Sequence, residues 1–184
     1  MAPFAVCLHV ALIHGVLSSF FPLYGLRVGL SMGQIGALLG VHGAVAAGVR
    51  FLSGPMFRLV PYRKALPSMI VVNSAAVMLM GLIAAYPLFI AGWALVGLSR
   101  GVLRVASGAL VMDTANQTDS QRGAASGIYL AGLDVGKVAG PAVGGVLVEM
   151  IGLPGVFIAV SLMFPVAYFV LASRVHAWSA SRAA

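Results

Sequence analysis

The sequence predicts an all-α integral membrane protein, a six-transmembrane-helix bundle made of two three-helix repeats, and three observations lead there. Hydrophobic residues make up 61% of the 184, charged residues only 8%, and the mean hydropathy is +1.04; an ordinary soluble domain has about 25% charged residues. Apolar runs of about 20 residues, the length that crosses a bilayer, recur six times. Lys and Arg gather in alternate connections between those runs. The chain has room for about six spans and no separate aqueous domain, so residues 1–184 are expected to form one bundle.

The first span, about 4–24, contains no charge and none precedes it, so it lacks the positive start of a signal peptide and reads as a retained helix. The second, about 33–57, carries Arg50 late enough to snorkel toward headgroups. The third covers about 65–86 after the connection Arg58 to Lys64. The fourth begins after Pro87 and covers about 88–112. The polar stretch Asp113 to Arg122 leads to the fifth, about 123–150, and the sixth covers about 154–173. Cys7, the single cysteine, permits no intrachain disulfide and reads as a small buried hydrophobe.

Charge orients the bundle. The 58–64 loop holds three Lys or Arg, the 113–122 loop one and the tail after Leu171 two, against Arg27 alone on the other side. This bias predicts a cell (inner or plasma) membrane protein with both termini cytoplasmic. The glycosylation pattern at Asn116-Gln117-Thr118 falls in a cytoplasmic loop and is read as chance. The net charge of +7 is scattered singly, with only Arg63-Lys64 adjacent, which is no stripe for nucleic acid. The expected partners are the lipid bilayer and a small-molecule solute.

The fifth helix is the most informative. Gly132, Gly136, Gly140 and Gly144 recur every four residues and wind slowly into a groove that admits another backbone. Pro141 leaves a carbonyl one turn earlier without its donor, a place for a bend or pivot; a tight structural contact alone gives the same pattern. The second helix is also glycine-rich, with Gly33, Gly36, Gly40, Gly43 and Gly48. Their equivalent places in two three-helix halves form a faint internal repeat of the kind transporters carry.

Asp134 lies about 18 Å into the fifth helix, at mid-membrane depth. Alone it would take up a proton; Lys137, three residues on, is placed to hold it ionised. The pair is either a neutralised structural one or a proton- or substrate-responsive site. Arg100 and Arg104 share a face of the fourth helix, where two guanidiniums require a wet cavity, carboxylates or carbonyls, or an anionic ligand. Alternatively, Arg104 is an anchor nearer the cytoplasmic side. One carboxylate cannot neutralise both arginines and Lys137, which favours a hydrated cavity, an anionic ligand or a partner chain. His9, His14 and His42 read as packed histidines, since their spacing suits no shared metal. Motifs for metal, nucleotide or serine-hydrolase chemistry are lacking, so neither an enzyme nor a cofactor is expected.

At these segments the chain resembles the major facilitator superfamily of secondary transporters. Gly54 to Leu66 is similar to that family's loop motif between its second and third helices, with Gly54, the Arg63-Lys64 pair and Leu66 in place. Arg58 stands where the usual aspartate is found, Leu59 where an arginine is and Pro61 where a glycine is. Arg104-Val105-Ala106-Ser107-Gly108 resembles the fourth-helix arginine-x-x-x-glycine element. The glycine-proline stretch, preceded by Arg122-Gly123 and followed by Gly152 and Phe157, resembles the fifth or eleventh helix. The likeness covers nearly the whole chain but half of a twelve-helix member, more like the C-terminal half, and the start at Met1 suits a truncated or split transporter. The resemblance implies secondary active transport by alternating access, as a proton-coupled carrier such as an antiporter. Helices one and four would line the cavity, and helices two and five would meet a second six-helix half or a second copy of the chain. A non-transporting six-helix scaffold or degenerate remnant is the competing expectation, prompted by the altered loop motif.

Overall fold

The computed structural model describes residues 2–59, 61–114 and 119–181, without the side chains of 2–7, 59, 62–63, 114, 119–122, 164, 167–169 and 171–181. Its described residues form α-helices: α1 (Ala2–Arg27), α2 (Met32–Leu59), α3 (Tyr62–Leu82), α4 (Tyr86–Thr114) and α5 (Asp119–Ser181). Each includes a stretch long and apolar enough to cross a membrane.

Five helical elements therefore replace the six expected, because no loop separates the last two spans. At 63 residues α5 would be about 95 Å long if straight, three times the hydrocarbon thickness. It is not straight. Gly152 has φ 75° and ψ 171°, a conformation essentially reserved for glycine, and it divides α5 into a first limb, 119–151, and a second, 153–181. Pro154 starts the second limb, where a missing N–H is tolerated.

Neighbour pairs give the direction of each element. Gly136, Gly140 and Gly144 of the first limb meet Leu8 to Leu12, Leu12 to Val16, and Val16 with Phe20, so this limb runs parallel to α1. Gly97 and Gly101 of α4 meet His42 with Val45 and Ala46 with Val49, so α4 runs parallel to α2. Met80 of α3 faces Gly92, and Asn73 faces Ser99, an antiparallel pairing. The second limb descends along α3, with Phe157 at Gly81 and Ser161, Leu162, Pro165 and Val166 grouped with Val71, Ser74, Ala75 and Met78. The chain thus reverses at Gly152, and the ends of α2 and α4 and the starts of α3 and α5 share one end of the bundle.

The turn from α1 to α2 is tightly specified. Gly29, at φ 87°, ends α1, and Leu30 N donates to Gly25 O at 2.9 Å. Ser31 and Gln34 then form a reciprocal cap on α2, with Ser31 N donating to Gln34 Oε1 at 2.8 Å and Gln34 N to Ser31 Oγ at 3.2 Å. At the end of α3, Ile83 is extended, so the helix stops before the predicted Tyr86. The main core lies toward this end, where Phe21 meets Trp93 edge-on at 4.8 Å and Tyr24 meets Phe157 at 5.3 Å.

The glycine groove of α5 is filled by α1, within the chain. A β-carbon at Gly140 would stand 2.6 Å from the Leu12 carbonyl oxygen, and one at Gly15 would stand 3.0 Å from the Lys137 oxygen that Pro141 leaves without its helical donor. Gly132 is buried as well. This corrects the expectation that the α5 glycine face meets a second half. The glycines of α2 differ: a β-carbon at Gly36, Gly40, Gly43, Gly48 or Gly54 would meet nothing within 4 Å.

Candidate functional site

The polar groups of the bundle interior converge at mid-depth from four helices. Arg100 stands at the centre of α4, and its Nη1 donates to His42 Nε2 of α2 at 2.9 Å. A guanidinium offers donors only, so Nε2 accepts and the His42 proton resides on Nδ1. The His42 ring stacks on His14 of α1 at 5.5 Å and 19°, and meets the edge of Trp93 at 5.3 Å and 74°. Beside them Ser99 donates to Leu95 O at 2.7 Å and lies 3.1 Å from Asn73 Oδ1 of α3.

Arg100, His14 and Asn73 line a crevice between α1, α3 and α4 whose other walls are Val10, Ile13, Leu17 and Val96. In this conformation the crevice is shut, leaving no room for a water-sized sphere. Of the residues that line it, His14 has a buried Nδ1 without a hydrogen-bond partner, and behind the His42 ring the buried Nε1 of Trp93 has none either. No carboxylate among the described residues pairs with Arg100; the nearby charges are Arg104 and Arg50, of like sign.

The other predicted site residues lie elsewhere. Arg104 is one turn along α4, half-buried, and its backbone carbonyl accepts a 2.9 Å hydrogen bond from Tyr129 Oη. Asp134 and Lys137 do pair, with Nζ donating to Oδ1 at 3.1 Å, yet they stand on the outside of α5 with side chains 73% and 47% exposed. Gly54 is inside α2 rather than in a loop, Arg58 and Lys64 are exposed at the same end of the bundle, and the Arg63 side chain lies outside the described residues. No group of three or more His, Cys, Asp or Glu among the described residues is placed to hold a metal ion.

The sequence profile of the Major Facilitator Superfamily matches residues 4–181. The chain belongs to the major facilitator superfamily. A search of curated proteins finds no match. Major facilitator proteins are multi-pass membrane transporters rather than enzymes, and the long apolar helices agree with that class.

Within this major facilitator chain, sequence reasoning located Arg100 but missed its companions. His14, His42 and Asn73 lie on three different helices, and no local spacing joins them. The available signal was position: each falls near the middle of an apolar span, where a polar side chain is expensive and calls for a partner.

Proposed function

We propose that the chain is one unit of a proton-coupled secondary transporter that moves a small solute by alternating access. The unit is completed by a second six-helix half or a second copy. In this reading it resides in the cell membrane with both termini cytoplasmic, and its α5 limbs cross separately.

The observation that carries the transport reading is the Arg100 cluster. A guanidinium at mid-membrane with no carboxylate partner among the described residues is costly in a bundle that only packs, and it suits a site that alternately takes up water or solute. Family membership supports transport, and the shut crevice suits one of two alternating conformations. The need for a second unit is supported by the exposed Asp134–Lys137 pair, since a carboxylate and an ammonium facing lipid at mid-membrane depth would each lose several kcal/mol of solvation. It is also supported by the open glycine face of α2, which has no close-packed neighbour.

Reconstitution of the chain in liposomes, with an imposed pH gradient and a panel of small solutes, tests this function. Accumulation that collapses in Arg100→Ala is expected; accumulation unchanged by Arg100→Ala overturns the site, and none for any solute with the second unit supplied favours the scaffold. For sidedness, a cysteine introduced as Gln117→Cys should resist impermeant reagent in intact cells, and external labelling reverses the topology.

A further inference from the structure

Resting on the transporter reading, we propose that the Arg100–His42–His14 cluster binds a monocarboxylate with an apolar body together with one proton, the carboxylate on Arg100 and the proton on His42.

The recognition chemistry follows from the crevice. Its single strong group is a guanidinium, whose planar fork matches a carboxylate in two parallel hydrogen bonds. Asn73 adds an amide at the same level. The remaining walls, Val10, Ile13, Leu17 and Val96, are aliphatic and suit an apolar body rather than a polyol or a second charge. Arg100 is the cation that lines the crevice, with Arg104 and Arg50 outside its walls, so the crevice offers one positive charge to one negative charge.

The proton follows from the 2.9 Å bond between Arg100 Nη1 and His42 Nε2. While that bond exists His42 is neutral, because its only acceptor lone pair is in use. A carboxylate that draws the guanidinium away frees Nε2 to accept a proton from the aqueous side, and the arriving negative charge offsets the new imidazolium. Without the anion, protonation would set two cations against each other. The surroundings reinforce this: the groups facing His42 are Arg100 from α4 and His14 stacked from α1, with Arg50 farther along α2 itself. Farther off, Arg104 lies one turn along α4, and Lys137 lies on the outside of α5, where Asp134 pairs with it. No carboxylate among the described residues pairs with Arg100 or His42, so the anion itself supplies the compensating charge. Reciprocal linkage then makes anion and proton bind together.

The test uses the full chain in lipid nanodiscs with Trp178→Phe, which leaves Trp93 beside His42 as the only tryptophan. Titration of its fluorescence with benzoate, an anion throughout the range from about pH 6 to pH 8, should saturate. The apparent Kd should rise toward tenfold per pH unit as pH increases, the slope expected when one proton accompanies each anion. Benzamide, neutral and of the same shape, should bind at least tenfold more weakly. Arg100→Gln should abolish saturation, whereas His42→Gln, which cannot titrate, should keep binding and lose the pH slope. Equal binding of benzamide, a pH slope that survives His42→Gln, or no saturation in the parent chain overturns the proposal. The outcomes also separate it from the transport reading. Uptake of a neutral or cationic solute without benzoate binding removes only this inference, whereas pH-linked benzoate binding without transport of any solute removes only the transport reading.

Discussion

Two helices of this chain carry closely spaced glycines, and they use them in opposite ways. On α5 the stripe Gly136, Gly140 and Gly144 is occupied by α1, whose own Gly15 returns the contact, so two backbones approach until no β-carbon fits between them. On α2 the glycines Gly36, Gly40 and Gly43 look onto open space, with Phe51 beyond them 88% exposed. Only 28% of the α2 span is buried, against 56% of α1. Without a hydrophobic drive between helices in lipid, close packing is what small residues contribute. A glycine face inside the bundle therefore holds this chain together, and one outside awaits another surface.

The largest effect should come from filling the occupied stripe. Gly140→Leu drives a side chain into the Leu12 carbonyl, a backbone atom that cannot turn aside, and should cost about 3 kcal/mol or more. Thermal unfolding of the purified chain should show a large fall in Tm, or no folded protein at all. An unchanged Tm would mean that α1 and α5 do not meet in this register.

A smaller loss is expected at the end of the α5 first limb. Gly152→Ala places a side chain at φ 75° and ψ 171°, which should cost about 1–3 kcal/mol. Its Tm should fall less than that of Gly140→Leu. Equality with the parent would show that the reversal between the two limbs does not require this backbone conformation.

The open side of α5 should respond differently. Asp134→Asn keeps the size of the side chain and an oxygen within reach of Lys137, and it touches none of the α1–α5 packing. Its Tm should stay close to the parent's and the pH dependence of gradient-driven transport should survive, because the coupling proton is placed on His42; loss of that dependence would move coupling to Asp134, since such a proton acts only by binding one conformation better. Transport against a gradient at the parent rate, with the same pH dependence, makes Asp134 structural.

The same contrast explains what could be read from the sequence. Composition and run length placed α2 and α4 within about two residues of their ends, because Ser31 and Arg58 flank the α2 span, Pro87 marks the start of α4 and the polar stretch from Asp113 its end. The end of α3 was not legible, since Ile83-Ala84-Ala85 are as apolar as the helix and only the extended backbone at Ile83 ends it. The break at Gly152 was seen as a boundary between spans, but not as a single-residue reversal within a continuous helical run. A glycine period announces a close contact without naming its partner, so α2 and α5 looked alike until neighbours were assigned. The Asp134–Lys137 pair was legible for a local reason, three residues along one helix. The bond from Arg100 to His42 spans 58 residues and two helices, and only the tertiary arrangement reveals it.

The claim that α2 offers its glycine face to a second unit can be tested directly by placing a photo-crosslinking benzoylphenylalanine at Gly40, with a second variant at the exposed Val138 of α5, and irradiating the membranes in which the chain is active. A face seated on a second six-helix unit should give one discrete protein adduct at position 40, about double the 18.9 kDa of the chain. Adducts at position 40 with lipid alone, in membranes that still transport solute, would contradict it.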